Sequence, residues 1–156
     1  MTSAPSTFDL RGALLGIVPH VFQTMLSLAV KPGEPLRGER ISGTIGIVGE
    51  NLSGAVYVHF SESLAKRAAS VMLSLDSADE PDHECVNDVA SELANMIGGG
   101  LKSALCNAGW PCAMSTPSII RGPAFTIELP QGLRADTFSF DCDGEPLAVE
   151  VHLNLE

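Results

Sequence analysis

Residues 84 to 107 read Glu-Cys-Val-Asn-Asp-Val-Ala-Ser-Glu-Leu-Ala-Asn-Met-Ile-Gly-Gly-Gly-Leu-Lys-Ser-Ala-Leu-Cys-Asn, a pattern that predicts one long helix. With about 3.6 residues per turn, Val86, Ala90, Leu93, Ile97, Leu101 and Ala104 fall on one stripe, while Asp88, Glu92, Asn95 and Gly99 fall on another. The first stripe is core. The second sets an acid and an amide three residues apart on a surface, where both can touch one small target, with a bare glycine a turn further on. Each of Gly98, Gly99 and Gly100 costs about 1 kcal/mol relative to alanine inside a helix. The run therefore implies a close approach, either by a partner at Gly99 or by the chain's own sheet. Glu and Asn on the wet side of an amphipathic helix are ordinary, so the pair alone names no chemistry.

Outward from this helix, period-two alternation predicts strands at residues 40 to 48 and 54 to 60, with Gly49 to Ser53 as their hairpin loop. Ser61 is the expected cap of a helix over residues 62 to 75, burying Leu64, Ala68, Val71, Met72 and Leu75. Pro19 suits a first helical turn, which predicts a helix over residues 18 to 29, and residues 8 to 18 read as a lead-in or as a helix kinked by that proline. After the Gly109-Trp110-Pro111 break the chain turns strand-like. Residues 113 to 121 run through Pro117, which argues for a bend or an edge, and strands follow at 123 to 129, around Phe138 and Phe140, and at 145 to 155. Strands at both ends of the helices, joined by short turns, predict an α+β fold with a largely antiparallel β-sheet packed against two long helices plus an N-terminal helix. The chain reads as one domain over residues 1 to 156, with residues 1 to 7 frayed. The last strand is long and would gain from pairing at an edge.

Composition removes whole classes of function. A formal net charge of −10, with nine scattered Lys and Arg, offers no footprint for nucleic acid. The apolar stretch at residues 13 to 30 is interrupted by Pro19, His20, Gln23, Thr24 and Ser27, so it reads as core and not as a membrane span. Cys85, Cys106, Cys112 and Cys142 form no C-x2-C or C-x4-C pair, and the four histidines are dispersed, so no metal or disulfide framework is expected and reduced thiols in a cytoplasm are the default. No phosphate-cradling G-x-x-x-x-G-K-[ST] or G-x-G-x-x-G occurs around Gly49.

The wider pattern Asp88-x3-Glu92-x2-Asn95-x21-Pro117, followed by Ser-Ile-Ile-Arg-Gly, resembles the signature of the CheX, CheC and FliY family of chemotaxis phosphatases. Residues 41 to 60 and the Phe22 to Met25 region resemble that family too, and the signature appears once, as in CheX-type members. The resemblance implies a phosphatase that removes the aspartyl phosphate of a CheY-like response regulator, with a cytoplasmic homodimer as the working form. It assigns Asn95 to hold the attacking water and Glu92 to pair with a lysine of the regulator, with Asp88 and Gly99 as partner-binding positions and Pro117 as a brace. No cofactor is expected in this chain. The Mg²⁺ belongs to the partner. The alternative carried by the same resemblance is a non-catalytic adaptor that binds response regulators.

Overall fold

The structure, a computed structural model, describes residues 8–76, 80–123 and 134–155. In chain order the elements are α1 (Leu10–Leu26), β1 (Lys31–Pro32), β2 (Arg40–Gly49), β3 (Leu52–Ser61), α2 (Glu62–Met72), α3 (His83–Asn107), β4 (Cys112–Met114), β5 (Ser118–Gly122), β6 (Arg134–Cys142) and β7 (Glu145–Leu155). Among the described residues the strands form one antiparallel sheet in the order β1-β6-β7-β3-β2-β4, with β5 also on β2. The expected strand at 123 to 129 falls largely on residues 124–133, outside the described residues, as do residues 1 to 7.

The registers sort the sheet into two faces. Ile41, Ile45 and Ile47 of β2 lie beside Phe60, Val56 and Gly54 of β3, and those in turn beside Leu147, Val151 and Leu153 of β7. This face carries the core, and all three helices bury their apolar stripes with it: Leu14, Val18 and Phe22 from α1, Leu64 and Ala68 from α2, and Val86, Leu93, Ile97 and Leu101 from α3. The other face places Ser42 beside His59 and Ala148, and Thr44 beside Tyr57 and Glu150.

Four expectations require correction. The first helix begins at Leu10, not at residue 18, because Asp9 caps it by accepting from the Gly12 N–H at 2.9 Å. It runs through Pro19, which has no N–H to donate to the Leu15 carbonyl, on a side where Leu15 is 38% exposed to water. It stops at Leu26, where Ser27 turns left-handed with φ 53°, so the extension to residue 29 is not made. The helix expected over residues 62 to 75 ends at Met72, short of Leu75, and its Val71 is 41% exposed, since Ala65 and Ala69 take the inward positions beside Leu64 and Ala68. Lastly, β7 is not an edge. It lies between β3 and β6, which pair with it along nearly its whole length, so its backbone has no free side to offer a second chain.

Pro117 fulfils both parts of its expectation. Met114 faces Ile47 and Ser118 faces Thr44, so one extra residue is accommodated between β4 and β5, a bulge on an edge strand where a missing N–H removes no ladder bond. Ser115 closes the bulge, its hydroxyl accepting from the Gly46 N–H at 2.9 Å.

How α3 sits on the sheet is decided by positions without side chains. A Cβ on Gly43 of β2 would stand 2.5 Å from the Cβ of Ala94 in α3, too close for two short, inflexible groups. Gly43→Ala should therefore lower stability by about 1–3 kcal/mol through overpacking. For a domain of this size that is a drop of roughly 2–4 °C in melting temperature per kcal/mol. Adding Ala94→Gly should recover part of the loss, which thermal melts of the single and double variants measure.

Candidate functional site

α3 starts at Asp82, whose carboxylate accepts from the Cys85 N–H at 2.8 Å, and ends at Ala108 with Gly109 following at φ 95°. Its three successive glycines meet three different surroundings. A Cβ on Gly98 would press the Ile45 side chain of β2 at 2.6 Å, and one on Gly100 would press Ile17 of α1 at 2.8 Å. A Cβ on Gly99 would meet nothing within 4 Å. The close approach by the chain's own sheet is realised at Gly98, Gly100 does the same toward α1, and Gly99 leaves open space.

The open side is the predicted stripe. Asp88 and Glu92 are exposed, and Asn95 and Gly99 are half-buried. At about 1.5 Å of rise per residue the stripe from Asp88 to Gly99 spans roughly 16 Å, with Glu92 and Asn95 about one turn apart near its middle. Among the described residues, no hydrogen bond or ion pair engages the side chains of Asp88, Glu92 or Asn95. A carboxylate and a carboxamide left free beside a gap are equipped to bind something: the first accepts, and the second both donates and accepts.

Arg121, which the sequence shows only as part of the Ser-Ile-Ile-Arg-Gly stretch after Pro117, fixes the helix from its flank. Its Nε donates to Asn87 Oδ1 at 2.7 Å and its Nη2 donates to the His83 carbonyl at 3.3 Å. The edge strand β5 is thereby tied to the first turns of α3, on the rotation that leaves Asp88 and Glu92 outward.

The family model of the chemotaxis phosphatase CheX matches residues 41–141. The chain belongs to the CheX family. The crystal structure of chemotaxis protein CheX from Vibrio vulnificus is 28% identical and superposes with a TM-score of 0.80, covering 99% of this chain and 100% of that one. A CheC-like superfamily protein from Shewanella sp. PV-4 is 27% identical with a TM-score of 0.79, over 95% and 99% of the two chains. A CheX–CheY–BeF3–Mg²⁺ complex from Borrelia burgdorferi contains a chain 22% identical with a TM-score of 0.72, over 95% and 99%, a likeness of fold. No curated protein matches the chain. The helices and antiparallel sheet described above are therefore the CheX fold, and no helix among the described residues is long and apolar enough to cross a membrane.

A second polar group lies on the opposite face of the sheet, and the sequence, with its histidines far apart, did not reveal it. Ser42 Oγ lies 2.6 Å from His59 Nδ1, His59 Nε2 lies 3.1 Å from Glu150 Oε1, and Glu150 Oε2 lies 2.5 Å from His152 Nε2. Tyr57 stacks on His59 with ring centroids 6.2 Å apart. The order Ser-His-Glu has the outline of a hydrolytic triad, but Ser42 is 0% exposed and no substrate can reach its hydroxyl. The array pins strands. Period-two parity already put Tyr57 and His59 on one face; the register that brings Glu150 and His152 to them is a long-range fact that no local pattern carries. Among the described residues no cluster of three or more His, Cys, Asp or Glu side chains is arranged to hold a metal ion.

Burial is the main influence on His59 and lowers its pKa below the usual 6.5, with the Glu150 carboxylate opposing the shift in part. The unfolded chain then takes up the proton at a higher pH than the folded chain does. The neutral ring's contribution to stability is complete above pH 6.5 and is lost as the pH falls below that value toward the folded-state pKa. Denaturant unfolding from about pH 7 to about pH 5 should show stability declining with acid, and His59→Gln should flatten that decline. An equal slope in both proteins would exclude His59 as its source.

Proposed function

We propose that this chain hydrolyses the aspartyl phosphate of a CheY-like response regulator by setting the Asp88–Glu92–Asn95–Gly99 stripe of α3 into the regulator's phosphorylated cleft. One observation carries the reading: the signature carboxylate and carboxamide project from a helix held on its other sides, with no partner of their own among the described residues. Family membership supports it, as does the pairing of a CheX with CheY in the Borrelia burgdorferi complex.

Phosphoryl transfer to water needs an attacking oxygen in line with the leaving group and stabilised charge on the equatorial oxygens. A Mg²⁺ and a lysine of the regulator would stabilise that charge. The missing part is a group that orients water, and the neutral carboxamide of Asn95 can accept from that water and donate to a phosphoryl oxygen without repelling it. Water then forms the new bond to phosphorus, the bond from phosphorus to the aspartyl oxygen breaks, and inorganic phosphate leaves with the regulator's carboxylate restored. Glu92, repelled by the phosphoryl group, reaches past it to the regulator's lysine and fixes the helix in the cleft. Asp88 extends that contact toward the N-terminus of α3. Gly99 keeps the leading face clear. The likeness to CheX also supports a homodimer, which cannot be built on β7 because both of that strand's edges are already paired.

The test is loss of phosphate from a phosphorylated CheY-like regulator with and without the purified protein. Asn95→Ala should reduce the acceleration by roughly 100-fold, the scale on which one positioned hydrogen-bonding group acts. Glu92→Gln should instead weaken complex formation and its dependence on salt. Binding of regulators without any acceleration by the unaltered protein would replace the phosphatase reading with that of an adaptor.

A further inference from the structure

The last turn of α3 and the start of β4 bring together two thiols that the phosphatase reading does not use. Gly109, at φ 95°, reverses the chain, and the Trp110 N–H donates to the Leu105 carbonyl at 2.8 Å, folding Cys112 back beside Cys106. Cys106 Sγ lies 3.8 Å from the Cys112 carbonyl oxygen, and Cys112 Sγ lies 4.0 Å from the Lys102 carbonyl oxygen, one helical turn before Cys106. Cys106 is exposed and Cys112 is half-buried, so a reagent reaches the first before the second. Cys85, at the other end of α3, is about 30 Å away along the axis, and Cys142 is buried in β6.

We propose that Cys106 and Cys112 form an oxidisable dithiol that a hydroperoxide closes into an intramolecular disulfide. The Cys106 thiolate attacks the hydroperoxide: a sulfur–oxygen bond forms, the oxygen–oxygen bond breaks, and the departing alkoxide or hydroxide takes the proton of the Cys112 thiol. The Cys112 sulfur then attacks the Cys106 sulfur, the sulfur–sulfur bond forms, and the sulfenic oxygen leaves as water after taking a proton from solvent. Two thiols are oxidised by one hydroperoxide, which is reduced to an alcohol or water and a further water. The roles follow from the surroundings. Burial and the adjacent Cys106 push the Cys112 thiol up to about 11, so it remains protonated and waits as the resolving partner. Cys106 falls on the same helical stripe as Asp88, five turns further on, which places the dithiol at the C-terminal end of the face assigned above to the regulator.

The full chain is treated with hydrogen peroxide at stoichiometric amounts, alkylated, digested and mapped by mass spectrometry. The expected product is a single reducible link between the Cys106 and Cys112 peptides in a molecule of unchanged oligomeric state. Cys112→Ser should let Cys106 proceed to the sulfinic or sulfonic acid, and Cys106→Ser should leave Cys112 alkylatable. The proposal is overturned if the unaltered protein carries Cys106 as a sulfinic acid with Cys112 free, links Cys106 to a second molecule, or keeps both thiols alkylatable. The peptide map of the unaltered protein needs no variant to fold and no regulator to be present, so its outcome is independent of the phosphatase reading.

Discussion

The CheX fold of this chain depends on how closely one helix can approach a sheet. α3 meets β2 where Gly43 faces Ala94, a contact with no room for a further methyl group, and the next turn repeats the arrangement with Gly98 over Ile45. Gly100 admits Ile17 of α1 from another side. Each glycine within α3 weakens the helix locally by about 1 kcal/mol, and at Gly98 and Gly100 that is offset by contact that a larger residue would prevent. The result is a helix held against the sheet by β2, against α1 by Gly100 and against β5 by the Arg121 bonds to Asn87 and His83.

A rod fixed on three sides presents its fourth in a constant orientation. Precision of that kind is what a water-positioning group requires, because phosphoryl transfer gains from alignment more than from any covalent chemistry the protein supplies. In the function proposed above, the stripe answers that demand with a carboxamide that need not change its charge, a carboxylate to dock and a bare position for the partner surface. The buried Ser42–His59–Glu150–His152 array serves a different end, joining strands on the face away from the helices, where a hydroxyl with no access to solvent has no catalytic use.

Much of this was legible in the sequence because it is local. The 3.6-residue period of α3 separated the stripe from Val86 to Ala104, buried as far as Leu101 and half-buried at Ala104, from the open one ending at Gly99, and period two gave β2, β3 and β7 nearly to their ends. The Asp88, Glu92, Asn95 and Pro117 spacing carried the family resemblance, which the match over residues 41–141 bears out. What could not be read was non-local. Pro19 suggested a helix start, yet Asp9 caps the helix a full ten residues earlier and the proline is tolerated inside it. The long alternation of β7 suggested an edge in search of a partner, whereas chain topology seats it between β3 and β6. Cys106 and Cys112, six residues apart, looked unrelated until the Gly109 turn folded one onto the other.

The claim that one side of α3 is left open for a partner is tested most directly at Gly99. Gly99→Leu adds a side chain where a Cβ meets nothing within 4 Å, so the account predicts a melting temperature equal to or above that of the unaltered protein together with loss of binding to a phosphorylated CheY-like regulator, both read on the same preparation. Undiminished binding by a fully folded Gly99→Leu protein would contradict it.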